Sequence, residues 1–165
     1  PEAIGVEDDT PLGEEIVQRL GAIFEKTYLP KLRAFDGARE LLEARRTRGY
    51  ELVVATSAQE KELGNLLKVA GLEGVIAEAA TSSDAKDSKP DPDILQAALR
   101  RAGCKPHEAI MLGDTPYDVE ASRSAGVSVV ALRCGGWDDA DLGDANAIFE
   151  SPRDLLTRID ASPFR

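Results

Sequence analysis

Residues 109–132 read AIMLGDTPYDVEASRSAGVSVVAL, a stretch in which two kinds of pattern alternate. Ala109–Leu112 is a short apolar run, which predicts a buried strand. Pro116–Ala125 begins with proline, as helices often do, and Gly126 follows as a helix terminator. Val127–Leu132 is a second apolar run rich in valine, which predicts another strand. Strand, helix and strand in this order are typical of parallel strands joined by a crossover helix.

The same alternation extends over most of the chain. Further strands are predicted at Glu51–Ala55, Val75–Ala80 and Ala147–Phe149, and further helices at Pro11–Leu29, 36–49, Gln59–Ala70, Pro92–Ala102 and Pro152–Ile159. Asp36 is expected to cap the second helix, and Arg133–Asp144 is expected to be a loop. The pattern predicts an α/β fold, a three-layer Rossmann-like parallel sheet with helices on both faces.

The charge balance excludes two classes of partner. The chain has 165 residues, with 20 Lys and Arg against 30 Asp and Glu, which gives a net charge of −10. Nucleic acids and acidic membranes are bound through basic residues, so we expect neither as a partner. A small phosphorylated metabolite in a local pocket is still compatible with this charge. Cys104 and Cys134 lie far apart and form no metal-binding pair, which predicts reduced thiols and a cytoplasmic protein.

Polar residues follow the predicted strands, at the edge where ligands bind in parallel sheets. Thr56 and Ser57 follow the strand at 51–55 and offer a hydroxyl and backbone N–H groups to an anion, although an ordinary helix N-cap has the same pattern. Lys89 stands in Lys-Pro-Asp-Pro, where two prolines fix the backbone. A lysine held in this way can neutralise a phosphoryl oxygen, although it could also be a solvated loop residue.

A pair of carboxylates gives the most specific signal. Asp114 stands at a strand end after Gly113, and Asp118 falls in the first turn of the next helix. Two carboxylates close together repel each other unless a cation is present or one is protonated, and hard oxygen ligands suit Mg²⁺. The alternative is that both aspartates only complement the helix dipole. We expect a magnesium site at Asp114 and Asp118.

In these motifs the sequence resembles the haloacid dehalogenase superfamily of phosphohydrolases, near its phosphoglycolate phosphatase-like branch. The resemblance implies that Thr56, with the Ser57 N–H, holds the phosphoryl group and that Lys89 neutralises it. It also implies that Asp114 and Asp118 hold Mg²⁺, with Thr56, Lys89 and Asp114 as the catalytic set. Residues 31–165 correspond to the α/β core lacking its first strand, and residues 1–30 to the C-terminal part of a helical cap domain.

One departure from the family pattern has a structural consequence. The family's nucleophile is the first aspartate of an Asp-x-Asp motif after the first strand, and Asp91-Pro-Asp93 has that spacing but opens a helix instead. In the resembled fold the first strand lies between the strands that end at Thr56 and Asp114. Because strands are about 4.8 Å apart, omitting one leaves a gap of roughly 10 Å. We expect an N-terminal segment outside this chain, or a second chain, to complete the sheet.

The resemblance implies a Mg²⁺-dependent phosphatase that acts on a small phosphorylated metabolite through a phospho-aspartate. The stretch alone is expected to be inactive, because its nucleophile comes from elsewhere. Two other functions are compatible with the residues: a non-catalytic binding protein of the same fold, and a receiver-type phospho-signalling domain. A receiver domain places its acidic pair first and its lysine last, whereas here the order is hydroxyl, lysine, acidic pair. A sugar phosphate mutase is a further alternative.

Overall fold

The computed structural model describes residues 10–85, 87 and 89–164, which fall into two units divided between Arg33 and Ala34. In the first unit, α1 (Pro11–Ile23) continues into a π-helical turn at Phe24–Tyr28 and a 3-10 turn at Leu29–Lys31. Thr10 caps α1 by accepting a hydrogen bond from the Gly13 N–H. The assignment of residues 1–30 to a helical cap domain stays a prediction, and residues 1–9 lie outside the described part.

The second unit alternates strands and helices as the sequence predicts. Its strands are β1 (Val53–Ala55), β2 (Glu78–Ala80), β3 (Ile110–Gly113), β4 (Ser128–Leu132) and β5 (Ala147–Phe149). Its helices are α2 (Ala38–Thr47), α3 (Glu60–Val69), α4 (Asp93–Ala102), α5 (Pro116–Ala125), α6 (Asp139–Leu142) and α7 (Pro152–Thr157), with short 3-10 turns at Ser82–Asp84, Pro106–Glu108, Arg133–Gly135 and Ile159–Ala161. Within the described residues, every helix is too short or too polar to cross a bilayer.

The residues expected to form a loop at 133–144 contain a helix, so that prediction was wrong in part. Asp138 precedes α6 and accepts hydrogen bonds from the N–H groups of Ala140 and Asp141. The carboxylate thereby satisfies two of the N–H groups that a helix start leaves free, which allows one short turn to form.

The strands form two parallel sheets. β1 pairs with β2 in the register Val54 to Ala79, while β3 pairs with β4 and β4 with β5. Along β4, successive side chains point to opposite faces. Val130 and Leu132 pack with Leu41 of α2 and Leu155 of α7, whereas Val129 packs on the other face. Helices therefore cover both faces of a parallel sheet, which confirms the predicted α/β class.

Between β1 and β3 the two sheets are separated by a gap, which we call the slot. In the described residues β1 pairs only with β2, and β3 only with β4. Two cavities open onto the gap, with volumes of about 350 Å³ on the α4 side and about 290 Å³ on the α2 side. Residues that line both cavities are Tyr50, Glu51, Val53, Ala55, Ile110 and Met111. Among the described residues, β1 and β3 therefore form no direct pairing.

Helix α4 packs against both sides of the slot. Ile94 and Leu95 of this helix are buried in a cluster that includes Ala55 of β1 and Met111 of β3. A shared helix, rather than hydrogen bonds between strands, thus connects β1 to β3.

The start of α2 is held by a close approach between two backbones. Gly37, rather than Asp36, is the N-cap residue, with φ +78°, and the Asp36 carboxylate instead pairs with Arg153 of α7. The expectation that Asp36 caps α2 was therefore wrong. A Cβ atom on Gly37 would lie 2.8 Å from Cα of Arg153. Only glycine fits at this crossing.

Replacing Gly37 by alanine should destabilise the protein more than the same change at Gly49. Both glycines have a left-handed φ, of +78° and +88°, but no atom lies within 4 Å of a Cβ built on Gly49. The left-handed conformation costs an alanine about 1–2 kcal/mol at either site. Overpacking against Arg153 should add at least about 1 kcal/mol for Gly37→Ala. Urea unfolding measures both losses, and equal losses would contradict the close approach.

Candidate functional site

The predicted site residues lie at the carboxyl ends of the strands, around one end of the slot. Thr56 follows β1 and Asp114 follows β3, while Asp118 lies in the first turn of α5. Lys89 precedes α4, the helix that spans the slot. The structure brings Lys89 into direct contact with Asp118, and it places Thr56 on the opposite side of the slot.

Asp118 is the most extensively bonded side chain of the site. Its Oδ1 accepts a hydrogen bond from Nζ of Lys89 at 2.6 Å. Its Oδ2 accepts from the backbone N–H of Asp114 at 3.1 Å and from the N–H and hydroxyl of Thr115, at 3.1 and 2.8 Å. The Thr115 hydroxyl in turn accepts from the Asp118 N–H, which completes a capping box. One carboxylate therefore starts α5, shapes the turn after β3 and holds Lys89.

The two aspartates differ in charge stabilisation. Burial works to raise the pKa of Asp118, but the Lys89 ammonium and the hydrogen bonds outweigh it, so its pKa lies below the ordinary value. Burial raises the pKa of Asp114, and the neighbouring Asp118 charge adds to that rise, while Lys89 offsets part of it. Asp114 is thus a half-buried carboxylate whose ionised form still needs a cation.

Two glycines allow the carboxylates to sit this close to the backbone. A Cβ on Gly113 would lie 2.8 Å from Cγ of Asp118. A Cβ on Gly135, in the turn after β4, would lie 2.8 Å from both Cβ and Oδ2 of Asp114. Any side chain at Gly135 would therefore push Asp114 away from its position at the end of β3.

Thr56 is not an N-cap, so that alternative is wrong. Helix α3 begins at Glu60, and Gln59 is its N-cap residue. The Thr56 hydroxyl instead accepts a hydrogen bond from the Ala58 N–H at 3.1 Å, and Ser57 beside it is exposed. A hydroxyl that accepts through oxygen still has its own proton to donate. Thr56 can therefore offer a hydrogen bond to an anion.

The donor set fits Mg²⁺ rather than a metal that needs several protein ligands. Among the described residues, no group of three or more histidine, cysteine or acidic side chains is placed to hold a metal ion. Mg²⁺ commonly uses one or two carboxylates and takes its remaining ligands from water and substrate phosphate. Both oxygens of Asp118 already accept hydrogen bonds, whereas no described side chain donates one to the Asp114 carboxylate. Asp114 is therefore the less engaged carboxylate, and Oδ1 of Asp118 also keeps a free lone pair.

The sequence did not indicate a role for the turn after β4, although it follows a strand end at the same edge. Gly135 approaches Asp114 there, and burial together with the Asp114 charge raises the pKa of the Cys134 thiol. Trp137 packs edge-on against Tyr117, with ring centroids 6.2 Å apart, and both rings are partly exposed. The position of this turn after a predicted strand was the signal that could have identified these residues.

Comparison with known proteins supports the same family throughout. The sequence profile of the haloacid dehalogenase-like hydrolases matches residues 3–132. A pyrophosphatase, PpaX, of Bacillus velezensis is 29% identical over 87% of this chain and 67% of its own length. A phosphoglycolate phosphatase of Rhodospirillum rubrum is 34% identical over 78% of this chain and 53% of its own length. The chain thus spans about half to two thirds of the length of these relatives.

A solved structure supports the fold independently. The crystal structure of a hydrolase from Pseudomonas syringae superposes with a TM-score of 0.85 at 28% identity. The superposition covers 97% of this chain and 75% of that protein. The α/β architecture described above, with its parallel strands and flanking helices, is therefore that of a known hydrolase.

Replacing Lys89 should lower the stability of the protein, because Asp118 would then be buried without a cation. Lys89→Met leaves a buried carboxylate without its cation, so the free energy of unfolding near pH 7 should fall by about 3 kcal/mol. In the parent protein the low pKa of Asp118 stabilises the fold above the ordinary pKa and loses that effect as pH falls. In the variant burial raises the pKa of Asp118, so acidification relieves the penalty. The difference between the proteins should therefore shrink toward pH of about 4.5.

Urea unfolding of metal-free protein at both pH values measures this difference. Lys68→Met, which changes an exposed lysine of α3, serves as the control and should leave stability nearly unchanged. A loss that is the same at both pH values would show that the ion pair does not account for it.

Proposed function

Because the chain belongs to the haloacid dehalogenase-like hydrolases, we propose that it is the larger part of a Mg²⁺-dependent phosphatase for small phosphorylated metabolites. The observation that carries this proposal is the contact of Lys89 with Asp118 beside Asp114, at the carboxyl edge of parallel strands. An ammonium group, a carboxylate open to a cation and a hydroxyl across the slot are the groups that bind a phosphoryl group.

Lys89 supplies positive charge for the phosphoryl oxygens. Its side chain is only 17% exposed, and Asp118 holds its Nζ atom at 2.6 Å. A charge that is fixed before the substrate arrives needs no rearrangement as negative charge builds up in the transition state. Asp118 therefore acts on the reaction through Lys89, as a positioning residue.

Thr56 and Ser57 bind the phosphoryl group from the other side of the slot. The Thr56 hydroxyl can donate a hydrogen bond, and the exposed Ser57 contributes its backbone N–H. Together with Lys89 they would hold the phosphorus atom in line with a nucleophile that enters between β1 and β3.

Asp114 would hold the magnesium ion, and Asp118 could add a ligand through the lone pair of Oδ1 that Lys89 leaves free. When bound, Mg²⁺ would supply charge that stabilises a phosphoryl oxygen during transfer. Gly135 keeps Asp114 at the end of β3, where its carboxylate faces the edge at which Lys89 lies.

The nucleophile in this proposal is an aspartate on a strand outside the 165 residues, which fills the slot. A carboxylate oxygen of this aspartate forms a bond to phosphorus, and the bond from phosphorus to the substrate oxygen breaks. The leaving oxygen takes its proton from a second acid on the same segment. Water then cleaves the aspartyl phosphate, releases inorganic phosphate and restores the carboxylate. A segment with this role is implied by the family resemblance and supported by the slot.

The relatives suggest the size of the substrate. A phosphoglycolate phosphatase and a pyrophosphatase are named for small phosphorylated anions, and we propose a substrate of that class. We further propose that the protein works in the cytoplasm, which is supported by two cysteines, Cys104 and Cys134, that form no disulfide in the described structure.

Asp114→Asn, made in a longer protein that includes the slot-filling segment, should reduce Mg²⁺-dependent hydrolysis of para-nitrophenyl phosphate at least about 100-fold. The amide removes the charge that holds the cation but keeps the shape of the side chain. Asp141→Asn, an exposed change in α6, is the matched control and should leave turnover intact. Turnover that survives Asp114→Asn would remove the metal assignment. Turnover by the 165-residue chain alone would refute an external nucleophile.

A further inference from the structure

A buried arginine lies at the amino end of the slot. Arg45 of α2 is 4% exposed and lines the cavity on the α2 side. Its Nη1 donates to the backbone oxygen of Phe164 at 2.7 Å, and its guanidinium lies over the ring of Tyr50, 5.9 Å from the centroid. Tyr50 leads into β1, so Arg45 lies at the opposite end of the strands from Thr56 and Asp114.

One donor of this arginine has no partner. Within the described part of the chain, Nε of Arg45 is buried without a hydrogen bond. A buried hydrogen-bond donor without an acceptor lowers the stability of the folded state by about 1–3 kcal/mol, and by more when the group is charged. Folded proteins rarely tolerate this unless another molecule or segment supplies the acceptor.

The slot around Arg45 has the features of a binding site for a strand. Unpaired edges of β1 and β3 face the gap from both sides, so a strand between them could bond to both. Its alternate side chains would enter the two cavities, one on each face. Leu95 and Ala98 line one cavity and Leu41 lines the other, so we expect mainly apolar side chains on both faces of the strand.

We propose that Nε of Arg45 binds an acceptor oxygen at the amino end of the strand that fills the slot, and thereby fixes its direction and register. The occupant is an apolar extended segment of a longer form of this protein, parallel to β1 and β3, with a carbonyl or carboxylate oxygen at Arg45. This inference rests on the proposed function for the identity of the strand. The relatives are longer than this chain, which supports an occupant from the same protein.

The position of the candidate site favours this orientation. A parallel strand beginning beside Arg45 ends level with Thr56 and Asp114, where a carboxylate nucleophile is needed. An antiparallel strand would bring its carboxyl end to Arg45 and its amino end to the phosphate site. A side-chain carboxylate at the amino end of the strand would therefore let Arg45 select the parallel direction.

A peptide added to the 165-residue chain tests the proposal. The probe is an acetylated peptide, Ser-Gly-Val-Ile-Val-Ile-Asp-Gly-Ser, with fluorescein at its carboxyl end, and binding is measured by fluorescence anisotropy. We expect it to bind, and we expect no binding when the Ile and Val at its fourth and fifth positions are replaced by proline, which cannot donate to a neighbouring strand. Failure of the first peptide to bind would overturn the proposal.

The role of Arg45 is tested by coupling. Replacing the amino-terminal Gly of the peptide by Glu should tighten binding at least about 10-fold, because a charge-assisted bond forms at Nε. Arg45→Met should abolish this gain, whereas Arg46→Met, a change at the exposed neighbour on α2, should preserve it. If Arg45→Met does not fold, the parent chain still tests the assignment. Replacing the Gly near the carboxyl end of the peptide by Glu should not tighten binding to it. Equal gains at both ends would overturn the assignment.

Two further outcomes separate this inference from neighbouring ones. The chain could instead form a dimer in buffer without peptide, and Arg45→Met could dissociate that dimer. This result would show that a second copy occupies the slot, and it would overturn the proposed occupant. A peptide with Asn in place of Asp should bind equally well. If the Asp peptide binds with Arg45-dependent affinity but a longer protein that includes the slot-filling segment shows no Mg²⁺-dependent hydrolysis, the proposed function fails and the strand site stands.

Discussion

The architecture depends on two parallel strands that face each other across the slot without bonding. β1 and β3 are both packed against α4, so their carboxyl ends are held at one edge although they belong to different sheets. Unpaired strand edges are costly inside a protein, because each N–H and C=O group needs a partner. Such edges beside two largely apolar cavities are what the proposed additional strand would cover. The site at Thr56, Lys89 and Asp114 surrounds the place where that strand would end.

The ion pair between Lys89 and Asp118 fixes the position of the ammonium group more than it stabilises the fold. A buried ion pair often contributes little net stability, because both charges lose their hydration. What the pair of Lys89 and Asp118 does achieve is a fixed ammonium group next to Asp114. The same carboxylate is part of the capping box with Thr115, so the start of α5 and the position of Lys89 depend on one side chain. A substitution at Asp118 would therefore change the start of α5 and the position of Lys89 together.

Much of the fold followed from local sequence signals. The α5 bounds and the β5 bounds were predicted to the residue, because proline and glycine mark the ends of α5 and a short apolar run marks β5. The same local rules failed at Asp36, where Arg153, distant in sequence, takes the carboxylate that was expected to cap α2. They also missed α6, whose single turn depends on the Asp138 carboxylate.

For the candidate site, the residues could be predicted from the sequence, but the different contacts of the two aspartates could not. Asp114 and Asp118 looked equivalent, and only the structure shows that Asp118 is engaged by Lys89, which lies 29 positions earlier. The approach of Gly135 to Asp114 and the unpartnered Nε of Arg45 come from chain crossings that no local pattern encodes. Such long-range contacts set the surroundings of each carboxylate and of the buried guanidinium.

Amide hydrogen exchange at Ala55, followed by NMR, tests the central claim most directly. The Thr56 N–H bonds to Ala80 of β2, and in a parallel strand alternate N–H groups face the same neighbour, so the Ala55 N–H faces the slot. In the 165-residue chain alone, Ala55 should exchange at least about 100-fold faster than Val130, whose strand is paired on both sides. Equal protection of the two amides would mean that the slot is closed, and the account of a strand-accepting site would be contradicted.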